Sequence, residues 1–411
     1  MGEVDITPGV GGELCGYAAR VQPSTGVMGR LYFKAIYIEE GGERFLWMVG
    51  DLIAVSREQV LAFRESVKRE WGLEGWQVMV SATHTHSGPA TIRLNAAGRM
   101  EKEYVEMLGE WMREAARQAM ARVEECELVV GEGELELAVD RRGHATAQTD
   151  PRVLGLGLRR ENGTYLGVVV NYAMHPVALG HVNREVSGDW CGYAAESLRE
   201  GLAGRPVVMV TNGAAGNLNP PGEGMTREEV KRLGMKVAEG VIEGFERPTS
   251  NDEHPTSNII KVVSEVVRME MEVWTKEEME RVAEREIGKV GAGHPWYGPI
   301  REAIESWKRA EKAGVVEIEL QVVKLGGVVL VGVNCEMFAQ FVKGLREKVG
   351  EDVYVVGYTN GAFGYVPHAQ AYEEGGYEVD SAHLFYNSFR PRKGSLEMLC
   401  ERTAELVRLM D

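Results

Sequence analysis

Apolar and polar positions fall into short blocks along this chain, and the period of the blocks changes at glycine, proline and asparagine. Leu31 to Ile38 and Phe45 to Val49 read as strands joined at Gly41-Gly42, a hairpin signal. Ser56 caps a predicted helix that runs to about Trp71. An apolar run from Val78 comes next, then a helix near Glu101 to Arg122. Glu127 to Asp140 reads as strand with a turn, and Val153 to Leu158 and Leu166 to Tyr172 as two further strands. A helix from about Gly192 to Glu200, a buried strand from Pro206 to Val210 and a helix over Thr226 to Gly244 follow. Arg247 to Ser257, rich in Pro, Asn and Ser, is the best linker candidate.

Beyond it the pattern gives a long strand, Ile259 to Trp274, and two charged helices, Lys276 to Lys289 and Ile300 to Lys312. His294-Pro295-Trp296 lies between them, and residues 275–314 are expected to form a lid or outer flank. Strands at Val315 to Lys324, Val328 to Val333 and Val353 to Gly357 and a closing helix from Ser395 to about Met410 complete the chain. Strands alternating with helices predict an α/β fold. No internal repeat or low-complexity tract is read from the sequence.

With 411 residues there is room for two to three ordinary units or one large α/β body. A net charge of −16 speaks against nucleic acid as a partner and against charge-driven docking on anionic membranes. No apolar run approaches the roughly 20 residues that span a bilayer, so no stable membrane insertion is expected. The N-terminus lacks a basic region followed by an apolar run. The five cysteines are scattered without C-x-x-C spacing, as free thiols in a reducing compartment would be. A cytoplasmic protein is expected, and a homo-oligomeric state stays open.

The candidate chemistry centres on Val78-Met79-Val80-Ser81-Ala82-Thr83-His84-Thr85-His86-Ser87-Gly88-Pro89, where a buried strand empties into a loop. If the strand persists that far, His84 and His86 point the same way. His175, the Asn219 loop, Glu336 and Tyr365 each lie just past the C-terminal end of another apolar strand, where sites in α/β sheets gather. Each has an ordinary structural reading: a core histidine, a charge at a helix start, a loop tyrosine, and for Arg141 a solvated cation. Taken together, His84, His175 and Glu336 supply the three His and carboxylate ligands of a hydrolytic zinc site with an open position. No G-x-S-x-G, H-E-x-x-H or P-loop motif competes.

The ordered set Asp-Ile-Thr-Pro, Ala-Thr-His-Thr-His-Ser-Gly-Pro, Ala-Met-His-Pro-Val, Gly-Asp-Trp-Cys-Gly-Tyr-Ala, Cys-Glu-Met-Phe and Gly-Tyr-Thr-Asn-Gly-Ala-Phe-Gly-Tyr resembles the neutral/alkaline non-lysosomal ceramidases from Asp5 to about Glu378. The resemblance implies mixed β-sheets flanked by helices, as in the catalytic domain of that family. It also implies Zn²⁺ held by His84, His175, Glu336 and Tyr365, with Arg141 contacting the substrate and His86 beside the metal. One departure stands out: Asn219 falls where the family carries a serine nucleophile, and an amide cannot serve as one. The chain is expected to form one large catalytic domain over 1–411, without the family's C-terminal immunoglobulin-like domain. The expected activity is a zinc-dependent hydrolase of a C–N amide bond in a small-molecule substrate. Zinc-activated water would attack, Arg141 or Asn219 would steady the oxyanion, and His86 would act as general acid or base. A metal-dependent esterase and a non-catalytic metal- or ligand-binding relative remain as alternatives.

Overall fold

The computed structural model describes residues 1–247, 260–294, 296–350 and 352–410. Three four-stranded sheets make up the body, and all are built in the same order. In the first, Gly2–Asp5, Tyr32–Glu40 and Glu43–Gly50 pair antiparallel, and Val78–Ala82 adds parallel to the third strand. In the second, Glu127–Glu134, Arg152–Arg159 and Tyr165–Tyr172 are antiparallel and Val207–Asn212 is parallel. Lys261–Glu270, Val315–Leu325, Val328–Val333 and Val353–Val356 repeat the scheme in the third. A helix links the third and fourth strands each time: Arg57–Trp71, Asp189–Gly201 and Ala339–Val349. Another follows each fourth strand: Lys102–Ala121, Arg227–Glu246 and Ser395–Arg408.

The unit strand–strand–strand–helix–strand–helix therefore occurs three times, where no repeat was expected. Its signature is hidden because the connection between the first two strands differs in every copy. It is a glycine-rich loop in the first copy and the Leu135–Pro151 segment in the second. In the third it carries two inserted helices, Lys276–Val290 and Tyr297–Arg309. The expected flank over 275–314 is this insertion, and it packs through Ile304 and Trp307 onto Leu384 near the C-terminus.

Strand side chains alternate faces, and here both faces are buried. Leu46, Met48, Val78 and Val80 face the first sheet's own helices, while Phe45, Trp47, Val49 and Met79 face inward. The inward set meets Leu156, Val169 and Met209 of the second sheet and Leu330, Tyr354 and Val356 of the third in one shared core. That explains why these strands read as continuous apolar runs. Each outer face has its own core with its own helix pair. Among the described residues no helix is long and apolar enough to cross a membrane.

The repeats are stitched together at the C-terminal ends of the parallel strands. Ser81 Oγ and Thr359 Oγ1 are 2.9 Å apart, and the Asn360 N–H donates to Val80 O at 2.7 Å. The Gly357 N–H donates to Asn212 O at 2.9 Å, and Thr85 Oγ1 donates to Ser187 O at 2.7 Å. Two element assignments differ from expectation. The helix expected from Gly192 starts at Asp189. Glu336 does not open a helix; with Met337 it forms a two-residue strand parallel to Tyr365–Val366. Most of the expected linker, Arg247 to Ser257, lies outside the described residues.

A buried charge cluster ties the first repeat to the third. Glu319 is 2% exposed and accepts from Arg64 Nη2 at 2.8 Å and from Arg57 Nη1 at 2.7 Å. Burial alone would raise its pKa, but the hydrogen bonds and charges of these arginines outweigh it and hold the carboxyl below its ordinary value. Removing one member of such a pair costs about 3–5 kcal/mol because the partners are left buried and unpaired. Glu319→Ala should therefore lower stability by about that much in urea unfolding at pH 7. A carboxyl with a depressed pKa stabilises above its ordinary range and loses that contribution as pH falls through the folded-state value. The gap between wild type and variant should accordingly close on acidification; a pH-independent gap would contradict the assignment.

Candidate metal centre

The candidate side chains come from the loops that end the parallel strands of all three repeats. His84 and His86 follow Val78–Ala82, His175 follows Tyr165–Tyr172, and Glu336 follows Val328–Val333. The first strand does not persist to the histidines: it ends at Ala82, and His84 has φ of +66°. A left-handed turn, not strand alternation, brings the two rings together. Gly16, at φ +102°, leaves the space the His86 ring fills; a Cβ there would lie 2.4 Å from His86 Nδ1.

Main-chain carbonyls fix the imidazoles. His84 Nδ1 is 2.7 Å from Ile53 O, and His175 Nδ1 is 2.7 Å from Ala215 O. A carbonyl only accepts, so each Nδ1 must carry the proton and each Nε2 keeps a free lone pair. Those lone pairs converge on Glu336. His84 Nε2 is 3.4 Å and His175 Nε2 3.2 Å from Glu336 Oε2. His86 Nε2 lies 3.2 Å from His84 Nε2, and one ligand atom from each of the three histidines falls within 4.8 Å of the others. The ring of Tyr358 stacks on His84 at 3.9 Å. On the far side of the carboxylate, the Tyr386 hydroxyl donates to Glu336 Oε1.

Burial sets the charge states. It pushes His175 down to about 4 and His86 well below its ordinary value. Burial would raise Glu336, but the neighbouring His84 and His175 outweigh it and hold the carboxyl well below its usual range. Neutral His86 and His175 beside an ionised carboxylate are protonation states that suit a divalent cation. His175 Nε2 and Glu336 Oε2 are buried and make no hydrogen bond, although 3.2 Å apart. Buried polar atoms left without a partner are costly, and an ion between them is the usual remedy. The donor set fits a metal such as zinc.

Arg141 and Asn219 stand beside this group. The Arg141 guanidinium donates from Nε to Glu378 Oε1 at 2.7 Å, from Nη1 to Asn219 Oδ1 at 3.1 Å and from Nη2 to Tyr365 Oη at 3.2 Å. It is only partly exposed and engaged through all three of its nitrogens, not a solvated surface cation. Tyr365 pairs in register with Glu336 on the adjacent short strand. A cavity of about 470 Å³ opens over the site; Ile53, Leu94, Phe385 and Trp296 line it together with His84, Glu336 and Asn219. Sequence reasoning missed Tyr358, Glu378 and Tyr386. Tyr358 adjoins the Thr-Asn-Gly loop that was singled out, whereas Glu378 and Tyr386 lie among short helical turns with no periodic signal.

Comparison with known proteins bears on this arrangement. The family model for neutral/alkaline non-lysosomal ceramidase, N-terminal, matches residues 1–255 of the 411. Neutral ceramidase of Pseudomonas aeruginosa is 28% identical over 254 residues, which is 54% of this chain and 38% of that protein. Neutral ceramidase A of Dictyostelium discoideum is 23% identical over 218 residues, 47% of this chain and 30% of the other. The matched stretch thus spans well under half the length of either relative. Among solved structures, neutral ceramidase from P. aeruginosa superposes with a TM-score of 0.75 at 18% identity, covering 98% of this chain and 73% of that one. A ceramidase complexed with C2 gives 0.77 at 18% identity, covering 100% and 75%. These likenesses show a shared fold of mixed sheets and flanking helices, and they extend over Glu336 and Tyr365, beyond the matched N-terminal stretch. With more than half of its length matched by the family model, the chain belongs to the neutral/alkaline non-lysosomal ceramidase family.

Proposed function

We propose that this protein is a zinc-dependent hydrolase that cleaves a C–N amide bond of an N-acyl substrate held in the 470 Å³ cavity. The observation that carries the reading is the buried, unpartnered pair His175 Nε2 and Glu336 Oε2, with His84 Nε2 beside them. His84, His175 and Glu336 would hold the ion, with Tyr365 as the fourth ligand. When bound, such an ion supplies Lewis acidity toward a carbonyl and brings the pKa of water toward neutrality.

The remaining work falls to the chain's own residues. Arg141 Nη1 holds Asn219 Oδ1, so the Asn219 Nδ2 donor is free to face the cavity. From there it would donate to the oxygen of the scissile carbonyl as negative charge builds on it. Asn219 cannot form an acyl intermediate, so water is the nucleophile in this reading. His86 lines the cavity with Nε2 close to His84, where it would take a proton from the attacking water and pass it to the departing amine. The family relatives named for ceramide support an amide bond as the target.

One observation favours a variation: the three histidines alone form a close ligand group, so His86 is a rival to Tyr365 for the fourth position. Zinc retention by Tyr365→Phe with loss in His86→Ala would favour it.

Metal analysis tests the central claim. His84→Ala and Glu336→Ala should each lose stoichiometric zinc together with turnover of N-acyl amides; full zinc in both variants ends the proposal. Tyr386→Phe removes the hydroxyl that orients Glu336 and should weaken zinc binding by about 10–100-fold in a competitive chelator titration, with the fold unchanged. Asn219→Asp places a carboxylate where charge develops. It should keep its zinc yet lower kcat by about 10²–10³-fold, and undiminished turnover would remove Asn219 from the mechanism.

A further inference from the structure

Arg20 is a buried cation that meets no acid. Only 6% of its surface is exposed, and among the described residues it forms no ion pair. Its hydrogen bonds go to main-chain carbonyls: Nη1 donates to Asn183 O at 3.3 Å, and Nη2 donates to both Cys15 O and His86 O. Nε makes none. Burial pushes the guanidinium down to about 10, which leaves it charged at neutral pH. A buried charge without a counter-charge is costly, and groups perturbed in this way cluster at functional sites.

The three carbonyls belong to three separate connections of the fold, and those connections meet around His86. Nη2 joins Cys15 to His86, and the next residue, Gly16, is the one whose missing Cβ makes room for the His86 ring. One nitrogen therefore sets the gap in which that ring lies. The guanidinium also sits 5.0 Å from the centre of the Tyr17 ring, and Tyr17 meets the His86 ring edge-on with centroids 5.1 Å apart. From the other side the His86 N–H donates to Pro176 O at 3.3 Å.

This support matters because the His86 ring has none of its own. His84 and His175 are each fixed by a carbonyl on Nδ1. His86 Nδ1 is buried without a partner, and its Nε2 has only His84 Nε2 beside it, at 3.2 Å. The orientation of this imidazole is thus imposed through its main chain and through Tyr17, and Arg20 touches both.

We propose that Arg20 is a positioning residue for His86, holding the imidazole at the candidate centre by gripping the main chain at residues 15, 86 and 183 and by backing the Tyr17 ring. The inference rests on the role of His86 as proton carrier given above. A planar fork of five donors suits such a span of carbonyls, and a single ammonium reproduces it only in part.

Arg20→Met and Arg20→Lys in the full zinc-loaded chain test it. Arg20→Met keeps apolar bulk but removes charge and donors. It should lower kcat for an N-acyl amide about 10²-fold, the lower range of what a placed proton carrier contributes, with KM and zinc content close to wild type. Arg20→Lys should recover part of the loss. Histidine ring resonances, assigned with His86→Gln, give a reading that needs no turnover. The His86 signals should move or broaden in Arg20→Met while those of His84 and His175 stay in place. An unchanged kcat overturns the assignment. So does a fall accompanied by zinc loss or by movement of all three histidines, which is what a mere staple between loops would give. If the wild type carries zinc yet cleaves no amide, the hydrolase reading falls by itself and the resonances decide: an undisturbed His86 overturns the role of Arg20. Arg20→Lys retains the charge and shows the same pattern in weaker form, so it decides the matter even if Arg20→Met does not fold.

Discussion

Everything at the candidate centre depends on one nearly buried carboxylate being shared among its neighbours. Glu336 is 2% exposed, and an isolated charge there would be prohibitive. What makes it tolerable is a shell in which every neighbour has one permitted orientation. The Tyr386 hydroxyl takes one oxygen, and two imidazoles face the other. The imidazoles can do so only because Ile53 O and Ala215 O capture their opposite nitrogens. Two main-chain carbonyls thus decide the tautomers, and with them which atoms are left to bind a cation.

The triplicate architecture explains how such a shell is assembled. In α/β sheets the loops past the C-terminal ends of parallel strands are free of ladder obligations and carry function. Here three sheets turn those ends toward one another, so six loops are available at one place. Holding them there strains the backbone: His84, Tyr358 and Asn360 all have positive φ. Non-glycine residues adopt that region only when their surroundings over-determine it. His84 is held by Ile53 and stacked under Tyr358, and Asn360 bonds to Val80, Glu319 and Gln321.

Much of this was legible in the sequence, for identifiable reasons. Strands buried on both faces declare themselves as unbroken apolar runs, and residues such as His175 and Glu336, placed just past their ends, mark where the chain leaves the core. The strand-end rule therefore pointed to His84, His175, Glu336, Asn219 and Tyr365 as neighbours, and the structure brings them to one cavity wall or just beneath it. The alternation argument for His84 and His86 reached adjacent rings by the wrong route, since a turn of opposite hand does what strand pleating was expected to do. Tyr386 and Glu378 left no trace because their segment is a succession of single helical turns set by tertiary contacts. The threefold repeat escaped notice because its copies share an order of elements, not a spacing of residues.

The division of the core has a kinetic corollary. Each outer layer packs a sheet on helices that are close to it along the polypeptide, whereas the central core joins strands hundreds of positions apart. Contacts local in sequence form fast, and those that close long loops form late. Three sandwiches can thus mature separately and dock afterwards, and only docking creates the pocket of imidazoles. On this ordering any ion held by those imidazoles would meet its ligands as the last event of folding, as a latch on a finished assembly rather than as a nucleus for it.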